Sequence, residues 1–141
     1  MNKIQPSIIN RINVQVKKSY YTFERYNSVS TFALLYHEEP MTVVELSSFV
    51  RISDHFIQID DNHYFITFAF TTQDNTYKAV QNLVHHLDNH FNNRKTCIAI
   101  DNFDVTNAPH LVFNRLQQIL EETKRNSFTR VEDESILDTN F

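Results

Sequence analysis

A chain of 141 residues that contains no glycine cannot build the loops that cradle phosphates, because such loops need backbone at positive φ or an approach closer than a Cβ allows. The Walker loop, the dinucleotide-binding turn and the nucleophile elbow are therefore excluded in standard form. Thirteen basic residues against 17 acidic ones give a net charge of −4, which argues against nonspecific binding to nucleic acid or to anionic membranes.

The length suits one domain around one core, and 12 Phe and six Tyr without Trp suggest a sheet-containing core packed through rings. From Pro6 to about Tyr26, Ile8, Ile12, Val16, Tyr20 and Phe23 recur every three to four residues and predict a helix. Residues 1–30 are basic, with Lys3, Arg11, Lys17, Lys18 and Arg25 against Glu24 alone. Phe32 to Tyr36 is a compact apolar run that predicts a buried strand, stopped by Pro40. Thr42 and Glu45 form a capping-box pattern that opens a short helix through about Val50. His55–Ile59 and Tyr64–Phe70 predict a hairpin, with Asp and Asn at the turn because they tolerate left-handed backbone.

Val80, Leu83, Val84, Leu87 and Phe91 mark an amphipathic helix, and Thr96–Ile100 an interior strand. Asn107 and Pro109 start the last long helix, which carries Leu111, Val112, Leu116, Ile119 and Leu120, with Lys124 and Arg125 complementing its C-terminal dipole. Residues 127–131 are expected to add a short edge strand. Residues 131–141, with Glu132, Asp133, Glu134 and Asp138, are expected to be an acidic, mobile tail behind a domain of residues 1–130. The order α-β-α-β-β-α-β-α implies an α+β sandwich with helices packed on a mainly antiparallel sheet. The lone Cys97 forms no internal disulfide, no apolar run approaches ~20 residues, and no signal-peptide core is present. A cytoplasmic domain without direct membrane insertion is expected, whether alone or as part of a longer anchored protein.

The order of elements resembles the GGDEF domain of bacterial diguanylate cyclases. Asn10-Arg11 resembles the end of that family's opening motif, although Gln5-Pro6-Ser7 replaces its Leu-Thr-Gly. Glu24-Arg25-Tyr26 before Phe32-Ala33-Leu34-Leu35 is similar to the family's Arg-Tyr segment and first strand. Arg51-Ile52-Ser53-Asp54 resembles the Arg-x-x-Asp of its inhibitory product site. Six residues after Asp54, Asp60-Asp61-Asn62-His63-Tyr64 occupies the place of the signature hairpin, and Lys124-Arg125-Asn126 resembles the closing Lys and Arg-Asn. The resemblance spans about residues 8–130 and implies a cyclase-like sandwich in bacterial signalling.

The departures from that pattern imply that the activity is lost. Asp60, Asp61, Asn62 and His63 reproduce neither the glycines nor the acidic chemistry of the signature. Tyr36 stands where a metal-holding carboxylate is expected, with His37, Glu38 and Glu39 beside it, and the nucleotide-binding helix between Glu39 and Arg51 is missing. Phosphoryl transfer rests on positioning and metal electrostatics, so no cyclase activity, no cofactor and no bound metal are expected.

What the resemblance leaves for binding is Arg51 and Asp54. In the family such an arginine contacts the phosphate and guanine of cyclic di-GMP, and the carboxylate accepts from the guanine edge; a local ion pair is the competing account. Two classes of function stay open: a cyclic di-GMP receptor, and a nucleotide-independent module that binds a protein or dimerises through the N-terminal helix or a sheet edge. A third is an enzyme built around His37, Glu38 and the hairpin acids. His86 and His90 share a helix face with His85 nearby, but Leu87 stands where a zinc-protease helix needs Glu. Asp60, Asp61, Asp101 and Asp104 suit turns through local hydrogen bonds, and Cys97 lies in an apolar pattern that disfavours thiolate.

Overall fold

The computed structural model describes residues 4–138. Pro6 opens α1 (Pro6–Tyr26), where its missing N–H is one that a helix leaves unbonded. There follow β1 (Thr31–His37), α2 (Val43–Ser47), β2 (His55–Gln58), β3 (His63–Phe68), α3 (Gln73–Phe91), β4 (Thr96–Asp101), α4 (Pro109–Asn126) and β5 (Val131–Glu132), then a 3-10 turn at Glu134–Asp138. The strands form one sheet in the order β2-β3-β1-β4-β5. All neighbours are antiparallel except β4 and β5, which run parallel across α4. The fold is thus mixed α+β with a mostly antiparallel sheet and flanking helices.

Alternation along the strands divides the core into two layers. Phe32, Leu34, Phe65 and Ala99 meet Ile12 and Val16 of α1 and Val112, Leu116 and Ile119 of α4. Ala33, Leu35, Ile66 and Ile100 meet Val80, Val84 and Leu87 of α3. β1 and β3 are buried on both faces, which is why they read as continuous apolar runs. The capping box at Thr42 and Glu45 is formed in both directions. α3 starts at Gln73 rather than near Val80, because its polar first turn is capped by Thr72 and carries no apolar period.

Residues 131–138, expected as the beginning of a mobile tail, are packed. Val131 is buried and pairs with Ile98, and Ile136 joins the α1–α4 core layer. Their apolar side chains outweigh the acidic neighbours, whose carboxylates face the edge, where Glu134 and Asp133 accept from Gln73. Residues 139–141 lie outside the described residues.

A glycine-free chain must still turn left-handed somewhere. Asn27 at φ 54° and Asn92 at φ 54° end α1 and α3 in that conformation, which asparagine tolerates. Phe70 at φ 56° and Arg130 at φ 65° adopt it with bulkier side chains, at about 1–2 kcal/mol each. The Phe70 ring is largely exposed, so Phe70→Gly sacrifices little packing and only the ~0.5–1 kcal/mol entropy cost of glycine. A stability gain of about 0.5–1 kcal/mol is expected as a higher urea midpoint; a lower midpoint would mean that the ring contributes more than its backbone costs.

Candidate functional site

Arg51 and Asp54 close a turn at the entry to β2, where the Asp54 amide donates to the Arg51 carbonyl at 3.0 Å. The Asp54 carboxylate is 1% exposed, and a buried carboxylate is tolerable only when fully paired. Arg51 supplies that pairing as a fork: Nε donates to Oδ2 at 3.1 Å and Nη2 to Oδ1 at 2.8 Å, and the Arg51 amide adds a third bond to Oδ2. Nη2 also donates to Thr71 Oγ1 at 2.7 Å. Thr71 in turn donates to the Ala69 carbonyl, and its own carbonyl accepts from Thr31 Oγ1. The guanidinium therefore ties the entry of β2 to the exit of β3 and the start of β1.

Both oxygens of Asp54 are spent inward, so it orients Arg51 and has no free lone pair facing solvent in this geometry. Arg51 is 54% exposed, and its carboxylate partner raises the guanidinium pKa above its already high ordinary value. Nη1 makes no hydrogen bond among the described residues. Ile52 and Phe70, next in sequence to Arg51 and Thr71, are exposed apolar side chains. The arrangement offers a fixed, charged donor beside apolar surface, which suits a planar anionic ligand.

The hairpin turn at residues 60–62, expected to stand in the signature position, lies at the other end of the sheet and is closed on itself. Asp60 Oδ1 accepts from the Asn62 amide at 2.8 Å and contacts His63 Nδ1 at 2.8 Å. Asn62 Nδ2 donates to the carbonyls of His37 and Glu38, while the amides of His37 and Met41 donate to Asn62 and Asp61. Asn62 thus staples the hairpin to the end of β1 and the Asp61 carbonyl holds the segment after it, while the Asp60 carboxylate closes the turn on itself. Tyr64 of the same motif is wholly buried, with its hydroxyl donating to the Met41 carbonyl. Burial raises its pKa to about 12.

Tyr36, at the expected carboxylate position, faces His63 across β1 and β3 with ring centroids 5.0 Å apart, and Lys124 Nζ lies 3.8 Å from the centre of its ring. His63 and His37 are both buried there. His37 Nδ1 contacts Thr96 Oγ1 at 2.8 Å, its ring stacks on Phe91, and its Nε2 is 3.9 Å from Glu39 without a hydrogen bond. Burial lowers both imidazole pKa values, against the raising pull of Glu39 on His37 and of Asp60 on His63.

The remaining sequence candidates disperse. Asp101 pairs with Phe32 at the opposite end of β1 from the hairpin turn and accepts a fork from Arg115, so the two acidic pairs do not meet. Asp104 bonds to Thr106. His90 bonds to Glu45 at 2.9 Å and the His86 ring stacks on Phe49, with His85 exposed beside them. No three metal-ligating side chains gather among the described residues. Cys97 is half-buried and its thiol pKa is pushed up by burial. The sequence reading missed Thr71, since no local pattern connects it to an arginine 20 residues earlier.

Compared with known proteins, the chain matches no family model and no curated sequence. No helix among the described residues is long and apolar enough to cross a membrane.

Proposed function

We propose that the chain is a catalytically inactive, GGDEF-like regulatory domain that takes cyclic di-GMP at Arg51. The observation that carries the reading is the guanidinium itself, half-exposed yet fixed by a buried carboxylate and by Thr71. A donor held in one orientation loses little entropy on binding. Asp54 serves in this reading as a positioning residue, and the ligand meets Nη1 with Ile52 and Phe70 as apolar neighbours. Inactivity is supported by the hairpin turn, whose Asp60 bonds inward, and by Tyr36 at the strand end.

Calorimetric titration with cyclic di-GMP tests the reading. Arg51→Ala is expected to weaken binding by about 1.5–3 kcal/mol, tenfold or more. Asp54→Asn is expected to weaken it less, since the charge remains but its orientation loosens. An absence of heat at high micromolar ligand with folded protein retires the receptor reading. Incubation with GTP and magnesium or manganese is expected to yield no cyclic di-GMP; turnover abolished by changing Asp60 or Asp61 would overturn the inactive assignment.

One observation favours the alternative of a protein-interaction or dimerisation module. α1 leaves Ile9, Val14, Tyr21 and Tyr26 exposed, and Arg25 stacks on both tyrosines. Sedimentation of the chain and of Tyr21→Lys would reveal self-association through the side of α1 that Val14 and Tyr21 share as a fall in mass for the variant.

A further inference from the structure

We infer that the cleft between α1 and the β2–β3 hairpin is a second ligand site, for a phosphorylated small molecule with a ring, of nucleoside monophosphate size. It shares the Phe70 ring with the Arg51 reading but takes its ligand on the α1 side of the hairpin, and Lys18→Gln against Arg51→Ala tells the two apart. The cleft encloses about 330 Å³, at the lower end of the ~300–1,000 Å³ typical of small-molecule sites. A second hollow of about 340 Å³ continues it along α1 toward Arg11, sharing Gln15, Lys18 and His55.

The floor is polar and unpaired. Thr67 is 1% exposed and its hydroxyl has no hydrogen-bond partner, although a buried hydroxyl ordinarily finds one. The β2–β3 register sets His55 directly opposite Thr67, so both project to the α1 side of the sheet. Ser19 and Ser30 are buried in the same wall. Neither hydroxyl is engaged by another described residue, nor are the side chains of Lys18 and His55. Four polar groups and a cation thus converge without bonding one another, with the Thr67 hydroxyl buried and unpaired at a cost and with Lys18 and His55 exposed at the mouth.

The charge of the cleft runs against that of the chain. The protein carries a net −4, yet no Asp or Glu lines either hollow, while Lys18 lines both and Arg11 the second. Arg11, Gln15, Lys18 and Thr22 follow one another at helical spacing and share a face of α1. An ammonium with an imidazole N–H and hydroxyl donors is a set suited to phosphate oxygens. At the far rim stands Phe70, an exposed ring held at φ 56°. Backbone strain of this kind persists where a side chain must be aimed, and a ring at the mouth of an anion-binding cleft is placed to stack on a planar group.

The test follows amide shifts of the isotope-labelled full chain during titration with GMP, with guanosine and inorganic phosphate as separate arms. GMP is expected to give saturable shifts at Ser19, Ser30, Thr67 and Phe70, with guanosine and phosphate each binding at least tenfold more weakly. Lys18→Gln, an exposed change that leaves the fold intact, is expected to cut GMP affinity at least tenfold. Thr67→Val is expected to hold or raise Tm, because it removes an unpaired buried hydroxyl. Phe70→Gly is expected to stabilise the fold and weaken GMP but not phosphate. No saturable shift at several millimolar GMP, or shifts unmoved by Lys18→Gln, overturns the site. Shifts confined to Arg51 and abolished by Arg51→Ala also overturn it, while leaving the receptor reading in place.

Discussion

Asp88→Ala is expected to destabilise the fold by about 3 kcal/mol, a large part of the ~5–15 kcal/mol that holds a domain of this kind together. Asp88 on α3 receives both ends of the Arg130 fork, at 3.0 and 2.6 Å, and the two side chains are only 17% and 15% exposed. Arg130 Nη1 also donates to the Thr96 carbonyl, and the Arg130 carbonyl accepts from Ile98. Removing the carboxylate leaves a mostly buried cation on a residue already held at positive φ. Urea unfolding measures the loss. Hydrogen exchange locates it, with protection expected to fall first at Val131 and Ile98, where β5 meets β4. Asp88→Leu with Arg130→Met should recover much of the deficit, because a well-packed apolar pair needs no charge partner. A loss under 1 kcal/mol for Asp88→Ala would show that β5 is held by packing alone.

Acid is expected to weaken the protein well above the range in which carboxylates titrate. His37 and His63 are buried beside the hairpin turn, and burial lowers both pKa values below the ordinary ~6.5. In the unfolded chain each binds a proton as the pH passes about 6.5, while the folded protein resists it. The contribution is therefore complete above about pH 6.5 and is lost as pH falls from there toward the folded pKa, at up to about 1.4 kcal/mol per pH unit for each histidine. Glu45 and Asp104, whose pKa values are lowered by hydrogen bonds from Thr42 and Thr106, act in a separate and more acidic window. A urea midpoint at about pH 5.5 equal to that at about pH 7.5 would contradict the burial of both rings as neutral bases.

Much of the frame was legible because it is written in local period. Ile8, Ile12 and Val16 mark α1 by themselves, and Phe32–Tyr36 marks the central strand by being apolar throughout. Thr42 with Glu45 announced its helix through a cap formed by neighbours in sequence. What escaped depends on distance along the chain. Val131 and Ile136 look isolated among acids until β4 and α4 supply their partners. Asp54 looks like a surface acid until Arg51 and Thr71 enclose it. Tyr36, His37 and His63 look in sequence like neighbours of a turn, and only the folded chain sets Tyr36 against His63 on one face of the sheet end and the buried His37 against Phe91 on the other. Lys18 and Thr67, one on a basic helix and the other in an apolar strand, share no pattern at all and meet only because α1 lies beside the hairpin.

The central position of β1 bears on how the chain is made. Both of its neighbours lie later in the sequence, with β3 at His63–Phe68 and β4 at Thr96–Asp101. A nascent chain leaving the ribosome therefore presents Phe32 to Leu35 with at least one flank uncovered until β4 has emerged. At ~5–20 residues per second that interval is roughly 3–13 s. The β2–β3 hairpin is the first sheet pairing available within it, and it covers only one side. Holdase capture during synthesis should accordingly concentrate on this segment and end abruptly once Asp101 is clear of the exit tunnel.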